Sequence, residues 1–97
     1  MAVVVVNRGS DWNQELYDKI FDLVIPDTAS PPRGLLGHYA GPREGGWQVV
    51  DVWESQEAWE RFRDEKVMPA AQEHGMPPFD SEIVEVHNML VPEQARA

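Results

Sequence analysis

Apolar residues alternate with polar ones, or stand in short β-branched runs, over four segments of this chain. Such patterns are typical of strands, because successive side chains of a strand point to opposite faces of its sheet. The predicted strands span residues 2–7, 34–40, 46–53 and 81–90. The glycine-rich stretch at residues 41–46 predicts a hairpin connection between the second strand and the third.

Two other segments carry apolar residues at a spacing of three or four, which predicts helices. The first has an N-cap signal at residues 10–11 and stops before Pro26. The second begins after a Ser55 cap and ends at Gly75, with Pro69 inside it. Because proline cannot donate the helical backbone hydrogen bond, we expect this helix to be kinked or split near Val67 and Met68.

The element order β-α-β-β-α-β predicts an α+β fold of the ferredoxin-like type, with a four-stranded antiparallel sheet and both helices on one face. The expected domain covers residues 1–91, followed by a short C-terminal tail at residues 92–97. The second face of such a sheet is also apolar, and a small chain covers it most simply by self-association. We therefore expect a homodimer.

The third strand contains a carboxylate among apolar residues. Alternation gives one of its faces Trp47, Val49, Asp51 and Trp53. The other face has the slim pair Val50 and Val52, which we assign to the helices, so that the Asp51 face is expected on the dimer side. A hairpin register with Ala40 near Trp47 then brings His38 to the face of Asp51. In the fourth strand the same alternation adds His87.

Composition narrows the class of protein. Eight Lys and Arg against 17 Asp and Glu give a net charge of −9, which argues against nucleic acid and against an anionic membrane surface. The chain has no cysteine, so a disulfide framework and a thiolate site are excluded. No apolar run is long enough for a membrane span or a signal peptide, and a cytoplasmic location is expected. No metal site is expected, because the histidines lack an HxH or HxxxH spacing.

A carboxylate beside a histidine in a dry pocket can act as a general base, because the carboxylate orients the imidazole and stabilises its charged form. We expect Asp51 and His38 to form this pair, with His87 as a further catalytic residue of the pocket. The alternative is a structural role, in which Asp51 is paired across the dimer interface. The expected substrate-binding residues are Trp47, Trp53, Tyr39, Val49, Leu36, Met89 and Phe62.

The chain as a whole resembles the antibiotic-biosynthesis-monooxygenase-like group of the dimeric α+β barrel superfamily. The resemblance rests on the Val-rich first strand, the hairpin at residues 37–55, the helix at residues 57–70 and the closing strand at residues 84–90. It implies that two ferredoxin-like subunits pack sheet against sheet. In the haem-degrading branch a histidine near the end of the second helix ligates iron, and here Gln72 stands at that position.

The resemblance further implies a cofactor-independent enzyme that acts on a hydrophobic, aromatic or polyketide-like small molecule. Either a monooxygenase-like or a cyclase/isomerase reaction fits it. The alternative function is a non-catalytic small-molecule-binding or structural homodimer module. An open cavity lined by Asp51 and a histidine would favour the enzyme.

Overall fold

Four strands form one antiparallel sheet in the computed structural model, which describes residues 1–92. The strands are β1 (Val3–Gly9), β2 (Leu35–Arg43), β3 (Gly46–Trp53) and β4 (Asp80–Glu85). Their order across the sheet is β2-β3-β1-β4, so the central pair is β1 and β3. This arrangement, with helices on one face, confirms the predicted ferredoxin-like α+β fold. Residues 93–97 of the predicted tail lie outside the described residues, and the domain boundary at residue 91 stays a prediction.

The first helix, α1 (Gln14–Val24), begins later than predicted. Asn13 is its N-cap, and the Asn13 side chain accepts a hydrogen bond of 2.9 Å from the backbone N–H of Leu16. The N-cap that we predicted at residues 10–11 therefore lies two or three residues too early in the sequence. Trp12 precedes the helix, and its indole N–H donates to the carbonyl oxygen of Pro77.

The second helical region is split, as predicted. Helix α2 (Gln56–Phe62) is capped by the Ser55 side chain, a π-helical segment spans Arg63–Val67, and α3 (Met68–His74) follows. Pro69 lies in the first turn of α3, directly after the π-helical segment that interrupts the regular α-helical hydrogen bonds. Gly75 ends α3 in the left-handed conformation, at φ 65°. Within residues 1–92 no helix is long and apolar enough to cross a membrane.

The β2–β3 hairpin is tighter than predicted. The strands pair as far as Arg43 and Gly46, which leaves Glu44 and Gly45 as a two-residue turn. Gly45 has φ 82°, a left-handed value that glycine adopts without strain. A side chain at Gly46 would place its Cβ atom 2.2 Å from the carbonyl oxygen of Gly9, so this end of β3 has no room for one.

The helices cover the face of the sheet that carries Asp51, so our assignment of the two faces was wrong. The core lies between this face and α2 and contains Val3, Val5, Trp53, Ala58 and Trp59. Trp53 is only 1% exposed, whereas Val84 on the opposite face is 51% exposed. The helices here are short, and large aromatic rings fill the space beneath them where we had expected slim valines.

The fourth strand is shorter than predicted. It ends at Glu85, and one further backbone bond joins the N–H of Val86 to the carbonyl oxygen of Ala2. His87 and Met89 therefore lie beyond the strand, and both are exposed.

Candidate functional site

A cavity lies between the sheet and the helices and is open to solvent. Its volume is about 100 Å³, which is somewhat less than the ~150 Å³ of a protein cavity known to hold benzene. About one aromatic ring can enter it, and a larger molecule would extend through the mouth. The lining is mostly aliphatic and aromatic, and besides the tryptophans it includes four polar side chains: Asn7, Tyr17, His38 and Asp51.

Asp51 and His38 are direct partners across β2 and β3. Cross-strand partners share a face, so His38 lies on the face of Asp51 as predicted. The register itself was wrong by two residues, because Ala40 pairs with Val49 and Pro42 pairs with Trp47. The Nδ1 atom of His38 lies 2.5 Å from Oδ1 of Asp51. An ionised carboxylate can only accept a hydrogen bond, so Nδ1 of His38 carries the proton of this contact. The pair forms within one chain and beneath the helices, which makes the alternative of an Asp51 pair across the dimer interface wrong.

The second oxygen of Asp51 is held by the core. The indole N–H of Trp53 donates to Oδ2 of Asp51 at 3.3 Å. Asp51 is only 4% exposed, and each of its two oxygens thus accepts a hydrogen bond from a neighbouring ring. This arrangement fixes the carboxylate and, through it, the orientation of the imidazole.

Tyr17 of α1 completes a chain of three polar groups. Its hydroxyl lies 2.5 Å from Nε2 of His38. When the imidazole is neutral and protonated on Nδ1, Nε2 accepts and the Tyr17 hydroxyl donates. The ring of Tyr17 also packs against Trp47, with ring centroids 5.4 Å apart. The hydrogen bonds therefore run from Tyr17 through His38 to Asp51 along the wall of the cavity.

The phenol of Tyr17 is held in its protonated form. Burial raises the pKa of Tyr17 to about 12, and the negative charges of Asp51 and Asp18 add to this effect. A tyrosinate is accordingly absent at neutral pH, so Tyr17 can pass a proton on but does not act as an ionised base.

The structure brings six of the predicted site residues to the cavity: His38, Trp47, Val49, Asp51, Trp53 and Phe62. Four others do not line it. Tyr39 is 66% exposed on the opposite face, and Leu36 is exposed at an irregularity between Leu35 and Gly37 in β2. His87 and Met89 follow the end of β4. Leu36 is displaced by the irregularity in β2, and Tyr39 follows His38 in the strand and so points to the other face. His87 and Met89 were placed in a fourth strand that ends at Glu85.

Tyr17 was missed by the reasoning from sequence, although a signal for it was present. Tyr17, Ile20, Phe21 and Val24 stand at positions i, i+3, i+4 and i+7, and all four line the cavity. The apolar stripe that we took from the spacing was Trp12, Leu16, Ile20 and Leu23 or Val24. It left out Tyr17 and Phe21, and Leu23 is exposed. The stripe that begins at Tyr17 would have placed a phenol opposite the Asp51 face.

Comparison with solved structures finds the same fold in proteins of low sequence identity. A mutant of SnoaB from Streptomyces nogalater, a cofactor-independent oxygenase, matches at 16% identity with a TM-score of 0.67, over 92% of this chain and 96% of that one. Rv0793 from Mycobacterium tuberculosis matches at 15% identity with a TM-score of 0.67, over 94% of this chain and 100% of that one. A mutant of MhuD was solved with two manganese protoporphyrin IX molecules per active site. It matches at 22% identity with a TM-score of 0.64, over 93% of this chain and 99% of that one.

These likenesses bear out the resemblance to the antibiotic-biosynthesis-monooxygenase-like group as one of fold. All three identities are below 25%, so the likeness extends to the architecture and not to a shared reaction. No protein-family model and no curated protein sequence matches this chain.

The residues around the cavity do not fit a haem iron. His38 is the one cavity histidine within residues 1–92, and both of its ring nitrogens are already hydrogen-bonded. His74 lies at the end of α3 beside Glu73, away from the cavity lining. The described residues also contain no cluster of three or more His, Cys, Asp or Glu side chains that would hold a metal ion.

Proposed function

We propose that this protein, which has the fold of the antibiotic-biosynthesis-monooxygenase-like group, is an enzyme that removes a proton from a hydrophobic aromatic small molecule without a cofactor. The observation that carries the proposal is the hydrogen-bonded chain of Tyr17, His38 and Asp51 on the wall of an open, otherwise apolar cavity. An apolar cavity with a few convergent polar groups is the usual form of a small-molecule site. The description of SnoaB as a cofactor-independent oxygenase supports the same reading.

Proton transfer through this chain follows from its geometry. The Tyr17 oxygen faces the substrate and takes a proton from an acidic C–H, while the Tyr17 hydroxyl proton passes to Nε2 of His38. The imidazole then carries a positive charge, which the buried Asp51 carboxylate stabilises. The C–H bond breaks, its electron pair stays on the substrate as a carbanion or enolate, and one proton is stored on His38.

Two outcomes are open to the carbanion. Return of the proton to another carbon gives an isomer. Attack of the carbanion on a carbonyl group of the same molecule forms a ring, and the alkoxide oxygen that results then takes the proton. Reaction with dioxygen gives a peroxide, which loses water to leave a carbonyl. Anthrone and dioxygen, for example, give anthraquinone and water, which balances all atoms without a cofactor. We propose the oxygen-consuming outcome first, because SnoaB is described as an oxygenase.

A non-catalytic role is the second candidate. It is favoured by one observation, namely that Tyr17, His38 and Asp51 satisfy one another's hydrogen bonds. A network of this kind can serve stability alone. In that case the cavity would bind a small apolar molecule and release it unchanged.

We further propose a homodimer that packs through the outer face of the sheet. The residues paired there carry a stripe of apolar side chains: Val4, Val6, Val50, Val52, Val84 and Tyr39. Packing against a second copy would remove this stripe from water. A cytoplasmic location and the absence of nucleic-acid partners stay predictions from composition.

Oxygen uptake with anthrone tests the enzyme proposal. We expect the wild-type protein to consume one dioxygen per anthrone, and His38→Gln to lower the rate by roughly 10²-fold, the usual contribution of a general base. His87→Gln is the matched control, since this histidine follows the end of β4 and lies outside the cavity. Equal rates for His38→Gln and the wild type would favour the non-catalytic candidate.

A further inference from the structure

The cavity is smaller than the substrate that the proposed function needs. It holds about one aromatic ring, whereas anthrone has three fused rings and carries its acidic C–H on the middle one. When that C–H faces Tyr17, an outer ring lies on each side of it, and extension through the mouth accommodates only one of them. A wall of the cavity therefore has to move when such a molecule binds.

The wall with the least regular backbone is the segment that joins α3 to β4, residues 75–79, which we call the loop 75–79. Met76 and Phe79 of this loop line the cavity. Most of the other lining residues belong to strands or helices, whose backbone groups bond to one another in regular ladders. Pro77 and Pro78 have no N–H to donate. Because segments with few backbone hydrogen bonds open at the lowest free energy, the loop 75–79 is the wall that can move.

Trp12 ties this loop to the first strand. Its indole N–H donates to the carbonyl oxygen of Pro77 at 3.1 Å, and its ring meets the ring of Phe79 edge to face, with centroids 6.2 Å apart. A Cβ atom at Gly9 would lie 2.2 Å from Cδ1 of Trp12, so the indole rests directly on the backbone at the end of β1. Trp12 also lines the cavity. One side chain thus holds the loop in place beside the cavity.

We propose that the loop 75–79 is a lid, that Trp12 is its latch, and that the strength of this latch determines how large a ligand the cavity accepts. The inference rests on the proposed function and adds a specificity-determining residue to it. A one-ring ligand enters the closed cavity and leaves the hydrogen bond from Trp12 to Pro77 intact. A larger aromatic ligand displaces the loop, and the free energy needed to break that bond weakens its binding.

Pyridine, quinoline and acridine test the lid, because they have one, two and three fused rings and are uncharged at mildly alkaline pH. Nuclear magnetic resonance follows deuterium exchange at the four indole N–H groups, and the Trp12 signal is the one that Trp12→Phe lacks. We expect saturating acridine to accelerate exchange at Trp12 by about tenfold, the usual size for one hydrogen bond, and saturating pyridine to leave it unchanged. The N–H of Trp53, which is bonded to Asp51, is the internal control.

Loss of the latch should strengthen the binding of the larger ligand. Trp12→Phe keeps an aromatic ring and loses the N–H donor, so acridine should bind about tenfold more tightly while the affinity for pyridine stays the same. Phe79→Leu removes the edge-to-face contact and should act in the same direction. Trp59→Phe is the matched control, because Trp59 also lines the cavity and its N–H has no hydrogen-bond partner within residues 1–92. This control should not tighten the binding of acridine.

The lid is excluded if acridine saturates the wild type without faster exchange at Trp12, because the ligand then extends through the existing mouth. It is also excluded if Trp12→Phe weakens acridine binding, if it strengthens pyridine binding equally, or if acridine does not bind the wild type. None of these measurements involves proton transfer or dioxygen, so the lid and the proposed function fail separately. Oxygen uptake that depends on His38, with unchanged exchange at Trp12, would remove only the lid. Tighter acridine binding by Trp12→Phe, with no such uptake, would remove the proposed function and leave the lid.

Discussion

The Asp51 carboxylate lies 2.5 Å from Nδ1 of His38, and this contact joins neighbouring strands on the face that the helices cover. The contact fixes which nitrogen of the imidazole is protonated, and so leaves Nε2 as the acceptor for Tyr17. A buried carboxylate in the middle of β3 is explained by this partner and by the N–H of Trp53.

Replacement of Asp51 by Asn should abolish most turnover without disturbing assembly. The amide carries no charge to stabilise a positive imidazole, and it allows the other tautomer of His38. We expect oxygen uptake with anthrone to fall by roughly 10²-fold or more. Because Asp51 faces the helices and not the outer face, size-exclusion chromatography should show an unchanged oligomer. A variant that keeps full activity, or one that falls apart into monomers, would contradict this role.

The raised pKa of Tyr17 can be measured directly by ultraviolet titration. The chain has two tyrosines, Tyr17 and Tyr39, so Tyr39→Phe leaves only Tyr17 to titrate in the ultraviolet. We expect its ionisation near pH 12, and a lower pKa in the double variant Tyr39→Phe/Asp51→Asn, since the Asp51 charge contributes to the shift. Titration of Tyr17 near the ordinary value of 10 in the folded protein would contradict the buried contact with His38.

The same shift predicts how stability depends on pH. The folded state holds the Tyr17 proton up to about pH 12 and the unfolded chain only to about 10, so between these values the folded state binds more protons. The stabilising contribution is full below pH 10 and is lost as the pH rises towards 12. Urea unfolding over this range should show a steeper fall in the free energy of unfolding for the wild type than for Tyr17→Phe. Parallel curves would exclude the contribution.

Much of the fold followed from the sequence because local signals were strong. Ser55 capped its helix as predicted, and Pro69 marked the break in the second helix. Alternation along β3 correctly grouped Asp51 with Trp47 and Trp53. The hairpin register was wrong by two residues, but a shift by two keeps the face, so His38 was still placed beside Asp51.

The side of the sheet could not be read from alternation, since that pattern groups residues and does not say what covers them. We took valines as the helix-facing set, but Trp53 fills that space. The Tyr17 contact could not be read either, because it joins α1 to β2 across 21 positions of the sequence. Such contacts depend on how the helix is rotated against the sheet.

The revised assignment of faces makes a prediction about stability. Val5 is fully buried beneath the helices, and Val84 is exposed on the outer face of the neighbouring strand. Val5→Ala should lower the free energy of unfolding by roughly 1.5–3 kcal/mol, because two methyl groups leave a packed core. Val84→Ala should change the free energy of unfolding of the monomer by no more than about 0.5 kcal/mol. Denaturant titration of both variants in the Val50→Glu background, which breaks the proposed dimer interface, measures the difference for one chain. The opposite ranking would restore the original assignment.

A charged substitution on the outer face of the sheet tests the proposed dimer. Val50→Glu places a charge in the middle of the apolar stripe and should reduce the mass in light scattering from twice 11.0 kDa to the mass of one chain, 11.0 kDa. Val91→Glu is the matched control, since Val91 is exposed and lies beyond the sheet. A Val50→Glu variant that still forms the dimer would place the interface elsewhere.

The central claim is that His38 receives the proton of a bound substrate through Tyr17, and deuterium exchange into 2-indanone measures this without oxygen chemistry. Proton magnetic resonance in heavy water follows the loss of the signal of the carbons next to the carbonyl group. We expect the wild-type protein to accelerate this loss, Tyr17→Phe and His38→Gln each to remove the acceleration, and His87→Gln to keep it. Exchange at the wild-type rate in both Tyr17→Phe and His38→Gln would show that neither residue moves the proton.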